Sequence, residues 1–210
     1  MGLDNFVKVM SEKLNARFFD HCFGEKKYCN PAKSDCKISW LVDAYKGHSV
    51  YFVSYHKKEN RYETGDTFSG FFIPVKLCFP FLKIDIHKRR EDDFLVQLIC
   101  KKNVIFNDNC IHKELYIEIK NQHFVNELRA NPEILDRPVE VFKEIPSPFF
   151  KLNYQNFDCI EELTDVPLLC VYVQDRLVQT EDEFYKMYEF CQNAIDKFME
   201  RNMILIKEMA

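Results

Sequence analysis

The stretch ISWLVDAYKGHSVYFVSY, residues 38–55, decides the fold that the sequence predicts. Apolar and polar side chains alternate in its first half, which is typical of a strand with one buried face. A turn follows at Lys46-Gly47-His48, and β-branched and aromatic residues then resume from Val50 to Tyr55. The pattern therefore predicts an antiparallel β-hairpin.

Further strands are predicted downstream of this hairpin. Thr67–Phe79 has strand character, and Pro74 within it favours an edge strand or a bulge, because proline has no amide hydrogen to donate. The other strand-like runs are Leu82–His87, Phe94–Cys100, Leu115–Ile119, Val139–Ile145, Phe149–Tyr154 and Pro167–Val173. A short helix is expected over Gln122–Ala130. It is expected to stop before Pro132, because proline disfavours helical backbone at the residue before it.

Helices are predicted at both ends of the sequence. Apolar residues recur every four positions in the first segment, at Phe6, Met10, Leu14 and Phe18, which predicts a helix over residues 4–19. Near the other end, Thr180 and Glu183 have the spacing of a capping box, in which each side chain satisfies an unpaired amide. The apolar stripe that follows predicts a helix over residues 180–207.

These elements predict one α+β domain over residues 1–210. A mostly antiparallel sheet of about six to nine strands, with one short helix, is expected within residues 37–175. The sheet is expected to pack against the long C-terminal helix, with the N-terminal helix beside it and a cysteine-containing loop over residues 20–36. A hydrophobic content of 47% with 20 phenylalanines supplies a large core and excludes a disordered chain.

Charge and hydropathy exclude two classes of partner. The net charge is −4, and the one basic run, His87–Arg90, is followed at once by Glu91-Asp92-Asp93, so no basic face for nucleic acid is expected. The most apolar stretch, residues 68–82, is interrupted by two prolines and a lysine and is shorter than the roughly 20 residues that span a bilayer. Nine cysteines, several within apolar runs, indicate a reducing compartment and hence the cytoplasm.

Two groups of residues are candidates for chemistry. His21, Cys22, Cys29 and Cys36 offer the thiolates and imidazole that bind zinc, although none of them forms the tight Cys-x₂₋₄-Cys pairs of structural zinc sites. Unrelated free thiols and a disulfide are the alternative explanations of this cluster. Cys110 and His112 form a Cys/His pair of the kind in which the imidazole activates a thiolate nucleophile. Since neither group completes a known motif, we expect no metal and no cofactor.

Aromatic residues on the predicted strands favour a different role. Trp40, Tyr51, Tyr55 and Tyr62 are expected to be exposed and to anchor a protein partner, because tryptophan and tyrosine dominate interface hot spots. The leading hypothesis is a non-enzymatic protein-interaction module. One alternative is a carrier that holds a small apolar ligand between the sheet and the C-terminal helix. The other is a thiol- or metal-dependent enzyme.

The order of several short motifs resembles a family of bacterial proteins of unknown function, many of them membrane-anchored. The motifs are Tyr45-Lys46-Gly47-His48-Ser49-Val50 with Tyr55, then Phe72-Ile73-Pro74-Val75, Ile105-Phe106-Asn107-Asp108 and Leu169–Val173 before the closing helix. Asn107 stands where the family favours aspartate, and we expect no hydrophobic anchor of the kind found in the family. The resemblance implies an α+β fold in a bacterial protein, and it assigns a role to no residue.

Overall fold

The computed structural model describes residues 3–22, 36–57, 66–79, 81–88, 104–105, 115–121, 124–126, 141–142, 144–155, 157 and 159–205. Its two long helices are α1 (Leu3–Leu14) and α2 (Glu181–Glu200) among the described residues, and a short 3₁₀ helix covers Glu161–Leu163. The strands are β1 (Arg17–Cys22), β2 (Cys36–Tyr45), β3 (His48–Lys57), β4 (Asp66–Pro74), β5 (Lys76–Leu77), β6 (Ile84–Lys88), β7 (Val104–Ile105), β8 (Leu115–Ile119), β9 (Pro148–Tyr154), β10 (Leu168–Gln174) and β11 (Ile204–Leu205).

Nine of these strands form one sheet in the spatial order β1-β2-β3-β4-β10-β9-β6-β8-β7, and every neighbouring pair is antiparallel. The predicted hairpin is β2–β3. Its two-residue turn, Lys46-Gly47, has φ angles of 47° and 81°, the positive values that a tight hairpin turn with the right twist requires. β5 and β11 pair separately. An α+β fold with an antiparallel sheet and two terminal helices is thus confirmed.

Helix α1 is shorter than the apolar periodicity predicts. Asn15 adopts a left-handed φ of 53°, and the Ala16 amide donates to the Ser11 carbonyl at 2.9 Å, which closes the helix after Leu14. The chain then forms β1, which pairs with β2. The predicted helix over residues 4–19 is therefore wrong beyond Leu14, because pairing with a distant strand outweighs the local periodicity that includes Phe18. The predicted loop over 20–36 likewise begins inside β1.

Helix α2 begins as predicted and ends early. Thr180 accepts a hydrogen bond from the Glu183 amide at 3.3 Å, while the Glu183 carboxylate pairs with the Arg176 guanidinium instead of reaching back. At the other end, Asn202 has a left-handed φ of 52°, and the Met203 amide donates to a carbonyl in the last turn at 2.8 Å. The predicted helix over 180–207 is thus wrong beyond residue 200, since the chain turns to form β11.

Two other predicted elements differ in the structure. Residues 141, 142 and 144 are helical rather than part of a strand over Val139–Ile145, and the Ile145 amide donates to the Val141 carbonyl at 3.1 Å with helical spacing. Pro74 ends β4, a central strand, where pairing with β3 has already stopped at Phe72, so its missing amide costs no ladder bond. The prediction that this strand lies at an edge of the sheet is therefore wrong.

The remaining short elements agree with the predictions where they are described. Residues 124–126 are helical, and the Asn121 side chain accepts from the Phe124 amide at 3.1 Å, which places this helix within the predicted Gln122–Ala130. The predicted strand Phe94–Cys100 lies outside the described residues. Within the described part of the chain, no helix combines the length and the apolarity that crossing a bilayer requires.

One face of the sheet packs against both helices. Phe52 and Phe71 meet Phe184 of α2 at ring-centroid distances of 4.7 and 5.0 Å, and Phe6 of α1 lies 6.2 Å from the same ring. Phe52, Phe71, Phe184 and Met187 are fully buried. The carrier hypothesis places a ligand between the sheet and the C-terminal helix, whereas at these rings the sheet and α2 are in direct contact.

The opposite face of the sheet carries a second apolar layer, which we call the aromatic face. The segment between β9 and β10, with its 3₁₀ helix, covers part of it. The residues of the aromatic face are Ile38, Trp40, Val42, Tyr51, Val53, Tyr55, Phe68, Phe72, Tyr154, Leu168, Cys170 and Tyr172 from the strands, and Phe157, Cys159, Ile160, Leu163 and Val166 from the covering segment.

Candidate functional site

A pocket of about 210 Å³ opens on the aromatic face, and we call it the aromatic pocket. Strands β3, β4, β9 and β10 and the segment after β9 all contribute to its walls. The lining residues are Tyr55, Asp66, Phe68, Tyr154, Phe157, Cys159, Tyr172 and Gln174. Asp66 and Gln174 are exposed at the rim, whereas Phe157 is buried. The pocket is thus a half-open cup with aromatic walls, one carboxylate and one amide.

Contacts between neighbouring rings hold the walls in place. Tyr55 stacks on Phe68, its cross-strand partner, at 4.9 Å. Phe157 lies 6.0 Å from Phe68 and 4.5 Å from Phe72, the ring beneath them. Tyr172 lies between Phe72 at 6.0 Å and a ring of β9 at 5.1 Å. Since each ring is fixed by at least one other, the walls are formed before any ligand arrives.

A β-bulge at Asn153 turns Tyr154 toward the pocket. Leu169 pairs with Leu152, but the preceding residue, Leu168, pairs with Tyr154, so Asn153 is the extra residue, and it has a left-handed φ of 63°. Before the bulge, Leu152 faces the helices, and strict alternation would send Tyr154 to the same face. The extra residue reverses the alternation and places Tyr154 on the aromatic face. The Asn153 Nδ2 also donates to the Leu82 carbonyl at 3.0 Å.

Gly70 allows Tyr172 to lie close to β4. The two residues are directly opposite each other in the β4–β10 ladder. A Cβ added to Gly70 would lie 2.5 Å from the Tyr172 Cβ and even nearer to the Val171 carbonyl oxygen, whereas opposite Cβ atoms usually lie about 4.5–5.5 Å apart. Only glycine permits this approach of the two strands, so Gly70 helps to set the position of the Tyr172 ring.

An ammonium group already lies against this layer of rings. The Lys151 Nζ is 5.8 Å from the Phe149 centroid and 5.7 Å from the Tyr154 centroid, within the range of a cation–π interaction. The same Nζ pairs with Asp85 at 3.0 Å. Two rings and a carboxylate thus hold one cation beside the aromatic pocket. Tyr154 contacts this cation and also lines the pocket.

Burial governs the titratable groups of the aromatic face. Burial, followed by the Glu162 carboxylate, raises the pKa of Tyr51, so its phenol stays protonated at neutral pH. Burial likewise raises the pKa of the Cys170 thiol far above its ordinary value. Both groups are therefore neutral, and among the described residues that line the pocket, Asp66 supplies the carboxylate.

The predicted aromatic anchors are less exposed than expected. Trp40, Tyr51 and Tyr55 retain 8%, 7% and 8% of their accessible surface, so the expectation that they are exposed is wrong. All three belong to the aromatic face, and Tyr55 lines the pocket. Their burial follows from the covering segment and from stacking on other rings, such as Phe19 on Trp40 at 5.2 Å. Tyr62 lies outside the described residues.

The predicted metal and thiol sites fall largely outside the described side chains. Strand pairing places Cys22 opposite Lys37, the residue after Cys36, and His21 opposite Ile38, which brings these three backbones to one end of the β1–β2 pair. Cys29, and Cys110 with His112 of the proposed thiol pair, lie outside the described residues. Among the residues that the structure does describe, no group of three or more metal-binding side chains is found.

Sequence reasoning missed most residues of the pocket. Phe68 and Tyr172 occupy alternate positions of predicted strands, so their presence on one face was open to prediction. The face on which Tyr154 lies was not open to prediction, because the bulge at Asn153 reverses the alternation of side chains before it. Asp66 and Gln174 stand at strand ends, where nothing in the local pattern connects them; only the antiparallel pairing of β4 with β10 brings them to one rim.

Comparison with known proteins adds no assignment. No protein-family model matches the chain, and neither a curated protein nor a solved structure is significantly similar to it. The resemblance to a bacterial family of unknown function therefore stays a prediction, and the functional proposal depends on the geometry of the aromatic face.

Proposed function

We propose that this protein is a non-enzymatic interaction module of the bacterial cytoplasm, which binds a protein partner through its aromatic face. The aromatic pocket is the observation that carries the proposal. One face of the sheet is covered by α1 and α2 and is filled with rings in contact. The other face presents a preformed aromatic cup with a polar rim, the composition of an anchor site at a protein interface.

The size of the pocket favours a side chain over a whole small molecule. Pockets for drug-sized ligands and cofactors usually measure about 300–1,000 Å³, and this one measures about 210 Å³. A single anchoring side chain fits that volume, and the partner surface around it would bury the rim. This comparison also favours the module over a carrier, whose ligand was expected on the other face, against α2.

Site-specific photocrosslinking tests the proposal. A benzophenone amino acid replaces Gln174, which is exposed at the rim, and in a matched variant it replaces Glu12, which is exposed on α1. We expect a defined partner to be captured at position 174 and not at position 12. The partner is then purified, and its binding to the wild type and to Asp66→Ala is measured. We expect the partner to bind Asp66→Ala at least tenfold more weakly than the wild type, because truncation of a hot-spot residue costs that much or more.

Two outcomes would overturn the proposal. Equal capture at both positions would mean nonspecific contact. A captured partner that binds Asp66→Ala as tightly as the wild type would place the interface elsewhere. Native mass spectrometry of the freshly purified protein separates the carrier alternative, which predicts a tightly held small molecule of one defined mass.

A further inference from the structure

We infer that the aromatic pocket binds an ammonium group, namely the lysine side chain of the protein partner; this rests on the proposed function. The face of an aromatic ring carries negative electrostatic potential, so a ring whose open face borders a space favours a cation within it. Five of the eight described residues that line the pocket are aromatic: Tyr55, Phe68, Tyr154, Phe157 and Tyr172.

The Lys151 site supplies a precedent within the same layer. There, an ammonium group contacts the rings of Phe149 and Tyr154 and pairs with the Asp85 carboxylate. The aromatic pocket combines the same kinds of group, aromatic rings and a carboxylate, in a larger space. Tyr154 is again among the rings, and Asp66 supplies the carboxylate. The aromatic pocket has a volume of about 210 Å³, so it has space for a cation from outside.

Two lysines lie near the pocket among the residues that the structure describes. Lys57 is the cross-strand neighbour of Asp66. The Lys151 charge lies close to Asp85, at 3.0 Å, which reduces its repulsion of a second cation. An anion in the pocket would be repelled by the Asp66 carboxylate at the rim. A cation is therefore the charged group that the pocket favours.

The test uses choline and its uncharged isostere, in which carbon replaces the quaternary nitrogen. Binding is followed by amide chemical shifts in NMR spectra and by protection of the half-buried Cys159 thiol, which lines the pocket, from alkylation mapped by mass spectrometry. We expect a choline Kd on the order of 1 mM and at least tenfold weaker binding of the isostere. Equal binding of the two compounds would overturn the inference.

Variants connect this binding to the pocket. Asp66→Asn keeps the shape of the rim and removes its charge, and we expect it to weaken choline binding about threefold to tenfold. Tyr154→Phe keeps the ring and should bind choline within about twofold of the wild type. Glu12→Gln removes an equal charge from α1 and should change nothing. Because Asp66 is exposed, its variant is expected to fold, and unchanged choline binding in Asp66→Asn would refute the inference.

A second pair of probes identifies the source of the cation. Nα-acetyl-lysine amide should compete with choline, whereas the same compound acetylated at Nε should not. Choline binding without competition by the lysine compound would assign the pocket to free quaternary cations and overturn the assignment to lysine. If crosslinking captures a specific partner at position 174 and choline fails to bind, the module survives and the cation inference fails. If choline binds and no partner is captured, the module fails instead.

Discussion

The bulge at Asn153 offers a direct test of how the pocket is built. Asn153→Val and Asn153→Gly both remove the side chain that donates to the Leu82 carbonyl and accepts from the Gln155 side-chain Nε2 at 3.1 Å. The loss of these bonds costs both variants about 1 kcal/mol. The two differ in the backbone, because a β-branched residue at a φ of 63° carries about 2 kcal/mol of strain that glycine avoids.

The expected free energies of unfolding follow from these terms. Asn153→Gly should be less stable than the wild type by about 1 kcal/mol and Asn153→Val by about 3 kcal/mol. The difference of about 2 kcal/mol corresponds to a melting temperature lower by roughly 4–8 °C for a chain of this size. Urea titration followed by circular dichroism measures the free energies, and differential scanning calorimetry measures the melting temperatures.

Equal stability of the valine and glycine variants would refute the reasoning. It would mean that position 153 does not hold a left-handed conformation, so that there is no bulge and Tyr154 faces the helices. The alkylation rate of Cys159 gives a second readout. If valine relieves its strain by straightening β9, Tyr154 leaves the pocket and Cys159 reacts faster than in Asn153→Gly.

Three further predictions concern the sheet and the buried groups. Gly70→Ala should lower the unfolding free energy by about 3 kcal/mol in a urea titration, because a methyl group meets the Tyr172 backbone; a stabilised variant would contradict this close approach. Burial lowers the pKa of His48 below its ordinary 6.5, so the unfolded chain binds the proton more readily and the free energy of unfolding should fall as pH drops below about 6.5. His48→Gln should show a smaller fall between about pH 7 and 5. An identical pH profile of the variant and the wild type would argue against a buried neutral imidazole. Burial raises the pKa of both Cys170 and Cys191, so neither thiol should be alkylated at pH 7.5 before the protein unfolds, as peptide mapping will show.

Local sequence patterns predicted the elements whose structure is local. The β2–β3 hairpin follows from period-two alternation and a Lys-Gly turn, and the start of α2 follows from Thr180. The helix ends did not follow, because Asn15 and Asn202 end them in the left-handed region and the chain then pairs with distant strands. Apolar periodicity does not register a single residue of this kind.

The pocket was harder to predict for a related reason. Tyr154 and Tyr172 share a face only because one extra residue reverses the alternation in β9. β4 and β10 are adjacent in the sheet although Pro74 and Leu168, their paired ends, are far apart in sequence. Side-chain alternation predicts the face of a residue within its own strand, whereas a site that spans four strands depends on strand order and on bulges. Neither can be derived from the local patterns used here.

Because the bulge and the pocket share Tyr154, stability and cation binding are thermodynamically linked, and this linkage gives a final prediction. A ligand that binds only the folded state at ten times its Kd stabilises the protein by about 1.4 kcal/mol. Choline at that concentration should therefore offset the whole deficit of Asn153→Gly, in which the backbone conformation is kept. Asn153→Val should gain equally if it keeps the strained bulge, and less if straightening of β9 moves Tyr154 away from the cation. Equal gains in melting temperature in both variants, together with faster alkylation of Cys159 in Asn153→Val, would show that the binding site does not include Tyr154 and would separate the pocket from the bulge that we infer to build it.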